Sequence, residues 1–186
     1  MKLSLKKSFF IAAAGLALLG AAGLGLEVAS ARGFEVENVL LAKANPKLSF
    51  KEAAEKALAE AKTGQVSQVE LKAKGTKVYY KVTVQDQLTE TDYRLDANTG
   101  KVLRTKTERL DAEDLLSGQA QKTIAEVEKA LLDQYPGAKL LDLTVEQFGQ
   151  DLIYEVTLLD QGREVEVVVN GRDLTMTAFV DQEIDD

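Results

Sequence analysis

The 186-residue chain contains no cysteine, no histidine and no tryptophan. Without cysteine there is no disulfide framework and no thiol nucleophile, and with histidine also missing the usual ligands of a zinc site are gone. Histidine is also the commonest general base near neutral pH. Two carboxylates suffice for glycoside hydrolysis, but nothing in the sequence places a pair of them across a pocket. These absences point away from an enzyme, and no cofactor, metal or catalytic residue is expected.

Positive charge is also short. The chain carries 23 Lys and Arg against 30 Asp and Glu, a formal charge of −7. Beyond residue 31 the balance is 20 basic to 29 acidic, about −9. An acidic surface repels phosphate backbones and anionic headgroups, which disfavours nucleic acid as a partner.

The longest apolar run, Phe9 to Leu26, follows Lys2, Lys6 and Lys7 and precedes Ala29-Ser30-Ala31 and Arg32. A basic start, an apolar middle and small residues at the end form a secretory signal peptide over residues 1–31, with Ala29 and Ala31 at the cleavage site. The run is also long enough for an uncleaved membrane anchor, which needs roughly 17 to 25 residues, although alanine and glycine dominate it; an anchored chain would be a structural or sensory component of the envelope. The mature protein is expected to be exported to the extracellular space or cell envelope, touching membrane only through this segment. No cysteine follows for lipid attachment.

What is present in quantity is repetition. Ser49–Asp96 aligns without a gap on Thr123–Asn170 at an offset of 74 residues. Identities fall at caps, turns and core positions, among them Glu52/Glu126, Gly75/Gly149, Tyr80/Tyr154, Val82/Val156 and Asp86/Asp160. The period exceeds that of a solenoid unit, about 20 to 50 residues, so each copy closes its own small core. Units this small are marginal alone, and the two are expected to pack together.

Each copy opens with a capping box, Ser49-Phe50-Lys51-Glu52 and Thr123-Ile124-Ala125-Glu126, which starts a helix. Apolar residues then recur at helical spacing: Phe50, Ala53, Ala54, Ala57, Leu58 and Ala61 in the first copy, Ile124, Val127, Leu131, Leu132 and Tyr135 in the second. The small alanines predict a first helix lying closer to its sheet. Thr63-Gly64 and Pro136-Gly137 end the helices, and the period changes to two. Val69, Leu71 and Ala73 lead through Gly75 to Val78, Tyr80, Val82 and Val84; Leu141, Leu143 and Val145 lead through Gly149 to Leu152, Tyr154, Val156 and Leu158. A third strand follows in each, then a short fourth strand, through Val102 and Leu103 in the first copy and after the turn Asn170-Gly171 in the second.

The predicted fold class is α+β: two tandem units, each one helix packed on a three- to four-stranded antiparallel meander, after the N-terminal apolar segment. The divisions are a leader over 32–47, a first domain over 48–107, a linker over 108–121, a second domain over 122–182 and an acidic tail over 183–186.

The helix opening Leu48-Ser-Phe-Lys-Glu-Ala-Ala-Glu-Lys-Ala-Leu58, the strand Tyr79-Tyr80-Lys81-Val82-Thr83-Val84 and the closing Leu95-Asp96-Ala97-Asn98-Thr99-Gly100-Lys101-Val102 resemble the PepSY domain. The second copy keeps the helix box and Tyr154-Glu155-Val156 but shortens the ending to Asn170-Gly171-Arg172-Asp173-Leu174. PepSY modules occur in the propeptides of secreted metallopeptidases and in bacterial envelope proteins, where they restrain or modulate peptidases. The resemblance implies a non-catalytic module that binds protein or peptide, with an extracellular peptidase as the partner class, working as a monomer or weak dimer. It brings no catalytic residues with it.

The chemical candidates are few. Tyr80 and Tyr154 are read as core aromatics with their hydroxyls at the rim, ligand contact being the alternative. Asp86 with Gln87, and Asp160 with Gln161, mark hairpin ends. Asp92, Asp96 and the tail residues Asp181, Glu183, Asp185 and Asp186 could attract a divalent cation weakly, without the ligand spacing of a calcium loop. An extended partner segment would lie in the groove between the two sheets or add to an exposed edge strand, either Thr89 to Leu95, with Thr91 and Tyr93, or Leu174 to Val180, with Thr175 and Thr177.

Overall fold

The computed structural model describes residues 40–118 and 122–180, apart from the side chains of Glu113, Phe179 and Val180. The expected signal segment with Ala29 and Ala31, residues 32–39 of the leader and the acidic tail lie outside the described residues.

Helix α1 spans Phe50–Ala61, followed by β1 (Gln65–Lys74), β2 (Lys77–Asp86), β3 (Thr89–Asp96) and β4 (Val102–Arg109). A 3₁₀ turn at Ala112–Asp114 leads to α2 (Ile124–Gln134), then β5 (Lys139–Phe148), β6 (Asp151–Asp160), β7 (Arg163–Asn170) and β8 (Met176–Val180). Both capping boxes form: Ser49 accepts from the Glu52 amide while Glu52 reaches back, and Thr123 and Glu126 repeat the exchange. Two orphan amides are satisfied at each helix start.

The strands do not make two sheets. They join in one antiparallel sheet of order β4-β3-β2-β1-β5-β6-β7-β8. The groove expected between two sheets therefore does not exist, because β1 and β5 pair directly through Gln68 with Thr144, Val69 with Leu143 and Glu70 with Asp142. Leu143 is the repeat equivalent of Val69, so the seam maps onto itself when the copies are exchanged. A bulge recurs at equivalent places, between Val66 and Gln68 in β1 and between Leu140 and Asp142 in β5. The extra residues, Ser67 and Leu141, are both buried.

Both helices cover one face of the sheet. α1 packs on β1, β2, β3 and α2, with Ala53 and Ala57 fully buried and the Phe50 ring edge-on to Tyr80 at 5.3 Å. Val127 and Leu131 anchor α2, whereas Leu132, expected in the same stripe, is 38% exposed. The strand residues facing the helices form the core, including Val69, Tyr80, Val82, Leu95, Leu143, Tyr154, Val156 and Val167. Among the described residues no helix covers the opposite, open face, on which Thr83 and Gln85 are nonetheless buried and the Leu116 amide donates to the Gln85 side chain.

Two further expectations change. β4 is not a short strand through Val102 and Leu103 but eight residues long, pairing with β3 from Leu95↔Val102 to Thr89↔Arg109. Its side chains are almost all exposed, so it carries no alternating apolar signal. The second copy's ending is not shortened either. Asp96 donates its amide to the Lys101 carbonyl and Gly100 donates to Asp96; Asn170 to Thr175 and Leu174 to Asn170 are the same two bonds 74 residues on. Gly100 has φ +70° and Leu174 φ +66°, so a leucine occupies the left-handed position that glycine takes in the first copy.

The lead-ins to the two copies are also equivalent. Lys139 donates to the carbonyls of Leu41 and Ala42 at 2.8 Å each, and to that of Ala44. At the matching position Gln65 donates to Leu116 at 2.7 Å. Each lead-in thus lies on the opposite copy, and Leu41 is buried in the common core.

Candidate functional site

Tyr80 and Tyr154 stand on the helix-side face of β2 and β6 with their hydroxyls committed to the backbone. Tyr80 Oη donates to the Leu48 carbonyl at 2.7 Å, and Tyr154 Oη donates to that of Lys122. Each acceptor immediately precedes a helix N-cap, so the phenol fixes where the chain enters its helix. Burial, reinforced by Glu128 and Glu52, drives the Tyr80 phenol far above its ordinary range. Burial and then Glu126 push Tyr154 up to about 12. Both stay neutral donors at any ordinary pH, and neither hydroxyl is free for a ligand.

The carboxylate candidates are likewise occupied. Asp96 accepts from the amides of Asn98 and Thr99 and from the Thr99 hydroxyl, which holds its carboxyl below the usual range. This is the physical content of Asp-Ala-Asn-Thr-Gly: an aspartate closes the turn and a glycine supplies its left-handed residue. Asp92 accepts from the Thr83 hydroxyl at 2.8 Å and lies 3.3 Å from Lys81 Nζ. Asp86 accepts from the Thr63 hydroxyl at 2.7 Å. Gln87 and Gln161 both have positive φ at their hairpin tips.

The edge candidates separate. β3 pairs with β2 on one side and β4 on the other, so Thr89 to Leu95 is not an edge. The sequence shows where strands lie but not their order, and the polar β4 outside β3 carries no apolar pattern to reveal its length. Thr91 is bonded across to the Thr107 hydroxyl at 3.0 Å, and Tyr93 is buried, its phenol raised first by that burial and then by Glu60. Thr175 lies before β8, with its carbonyl accepting from Asn170 and its amide donating to Asp173. Thr177 is exposed on β8, which among the described residues has β7 as its one sheet neighbour. With strands about 4.8 Å apart, β3 and β8 are separated by roughly 29 Å across the sheet, so the four residues do not form one site.

The two end strands differ chemically. β4 includes Arg104, Lys106, Glu108 and Arg109, charges of the kind that discourage edge-to-edge pairing. β8 reads Met176-Thr177-Ala178-Phe179-Val180 and carries no charge.

Sequence reasoning passed over the open face. Over the first copy, Lys72, Tyr79, Lys81, Arg94, Arg104 and Lys106 surround a shallow cleft of about 470 Å³, with Asp92 in its wall. The signal was available in β2, where Tyr79 and Lys81 flank the core residue Tyr80, and in the basic Arg104 and Lys106 two positions apart on β4.

The model of the peptidase propeptide and YPEB domain family, PepSY, matches residues 47–106 and 121–173. Among solved structures, a candidate lipoprotein from Clostridium difficile 630 superposes with a TM-score of 0.52 at 20% identity, covering 74% of this chain and 95% of that one. That likeness shows a shared fold. The YpmB protein from Bacillus subtilis aligns at 23% identity over 72% of this chain and 99% of its own, with a TM-score of 0.28. Among curated proteins nothing matches.

Proposed function

The chain belongs to the PepSY family, and from that membership we propose that it is an exported, non-catalytic module that binds an extended protein segment at the cell envelope and modulates a secreted peptidase. The observation supporting this reading is the uncharged end strand β8, which among the described residues has no sheet neighbour beyond β7 and lacks the charged residues that guard β4. An incoming strand would gain main-chain hydrogen bonds along Met176–Val180 and pockets for alternate side chains. The peptidase is the partner class that the family description suggests, and binding to its extended propeptide-like or active-site-bound segment would restrain it without chemistry by this chain.

The test uses the full chain expressed in its native host. Its N-terminus and location are determined first, a start at Arg32 being expected for an exported protein. Secreted peptidases from the same culture are then assayed with and without it. Thr177→Pro removes the β8 amide that faces Val168 of β7, loosens the end strand, and should abolish any inhibition or capture while helix content is unchanged. Equal modulation by wild type and Thr177→Pro would remove β8 as the binding edge, and a peptidase set indifferent to the wild-type protein would remove the modulator reading.

A further inference from the structure

The duplication supplies an internal control for the open face, since whatever the fold demands should appear in both copies. The core does: Tyr80 and Tyr154, Val82 and Val156, and the two bulges coincide. The open face does not. Tyr79, Lys81 and Arg94 correspond to Ile153, Glu155 and Val168, Lys72 to Glu146, and Arg104, which faces Arg94, to Thr177, which faces Val168. The second copy folds without the cations, so folding does not require them in the first.

Their arrangement is also unfavourable for folding alone. Arg94 and Arg104 face each other across the β3–β4 pair, with Lys81 next to Arg94 across β2–β3. Like charges directly opposite destabilise a sheet. Lys81 is partly compensated by Asp92, and Lys106 by Glu108 at 2.7 Å, but among the described residues neither arginine makes an ion pair. The Arg94 guanidinium rests 4.4 Å from the centre of the Tyr79 ring, which orients it without neutralising it. Three cations thus lie in one cross-strand row about 10 Å long.

The same row reverses sign at β1. Past Lys81 come Glu70, Asp142, the neutral Thr157 and then Glu166 along successive pairings. A long polymer of uniform negative charge would meet repulsion once it passed β2. A short acidic stretch, ending or changing sign after a few residues, would not.

We propose that the basic half of the open face, centred on Arg94, Arg104 and Tyr79, binds a short acidic segment of a polypeptide through paired guanidinium–carboxylate contacts. Guanidinium groups held in a fixed fork suit carboxylates in this way. The site is distinct from β8 and stands or falls separately from the reading given for that strand.

The test is a titration of the full chain against a fluorescent peptide of alternating glutamate and serine, Glu-Ser-Glu-Ser-Glu-Ser-Glu, followed by anisotropy and by amide chemical shifts. Binding is expected to weaken at least tenfold in the Arg94→Glu, Arg104→Glu double variant, to be unchanged in Lys51→Glu on the helix layer, and to shift amides of β2 to β4. Arg104→Gln provides a check that does not rely on the double variant folding: relief of the opposed charges should leave the melting temperature equal or higher. Unchanged affinity in the double variant would overturn the site, as would a fall of several degrees in Arg104→Gln. Tighter binding of inorganic polyphosphate of equal charge would overturn the ligand class.

Discussion

Glu128, on α2, closes the N-terminus of α1 by accepting the backbone amides of Phe50 at 3.1 Å and Lys51 at 2.9 Å. A carboxylate at this end of a helix satisfies orphan amides and opposes the positive end of the helix dipole. The link is one-way. The equivalent position in the first copy is Ala54, whose methyl group offers α2 nothing. Glu128→Ala is expected to cost about 1–2 kcal/mol, measured by urea denaturation, and to raise amide exchange in the first turn of α1 but not of α2.

Removing the hydroxyl of Tyr80 leaves the Leu48 carbonyl without its donor in a dry environment. Tyr80→Phe and Tyr154→Phe should each lower stability by about 1 kcal/mol, the usual net value of such a bond. The double variant should show the sum, because the two sites share no partner. Near-UV circular dichroism should stay native-like in all three.

Asp142 lies at the β1–β5 seam, accepting from Gln68 Nε2 at 2.9 Å and Thr144 Oγ1 at 3.0 Å. Burial first, and Glu70 second, push its carboxyl up to about 6 from an ordinary 3.8. The folded protein therefore takes up this proton at higher pH than the unfolded chain. The associated stability is complete below the unfolded value and is lost as pH rises through about 6. Burial, Glu146 and Glu166 shift Glu155 in the same direction. Asp142→Asn should flatten the pH dependence of stability between about pH 4 and 6 and stabilise the protein at pH 7 by roughly 1–2 kcal/mol. A steeper or unchanged slope in thermal melts across that range would contradict the assignment.

Leu174 holds φ +66° where the first copy has Gly100, and its side chain is partly buried against the core. Comparing two truncations isolates the backbone term. Leu174→Ala and Leu174→Gly lose the same packing, but only glycine is at ease in the left-handed region. The glycine variant should be more stable than the alanine variant by about 1 kcal/mol, reversing their usual order.

The parts legible in the sequence were those governed by local chemistry. Ser49 with Glu52 and Thr123 with Glu126 announced both helix starts, and Gly75 and Gly149 placed the hairpins. Period-two alternation identified the core faces of β1, β2, β5 and β6. What stayed hidden depended on pairing at a distance. Nothing about Gln68, Glu70, Asp142 or Thr144 marks them as a seam, because both sides of it are polar. β4 escaped because a strand with an exposed surface carries no apolar pattern. Without β4 in view, β3 reads as an edge and Thr91 and Tyr93 as residues of a border they do not occupy. The basic cleft needed strand register as well: Arg94 and Arg104 become neighbours only once the β3–β4 pairing is known.

The seam in which Val69 faces its own counterpart Leu143 has the form of a two-fold interface between identical subunits. Joining the halves in one chain makes their association independent of concentration. It also frees each half from matching the other, because a substitution no longer appears twice. Lys81 and Glu155 show the result: one scaffold position carries opposite charges in the two halves of a molecule whose folding core remains a pair.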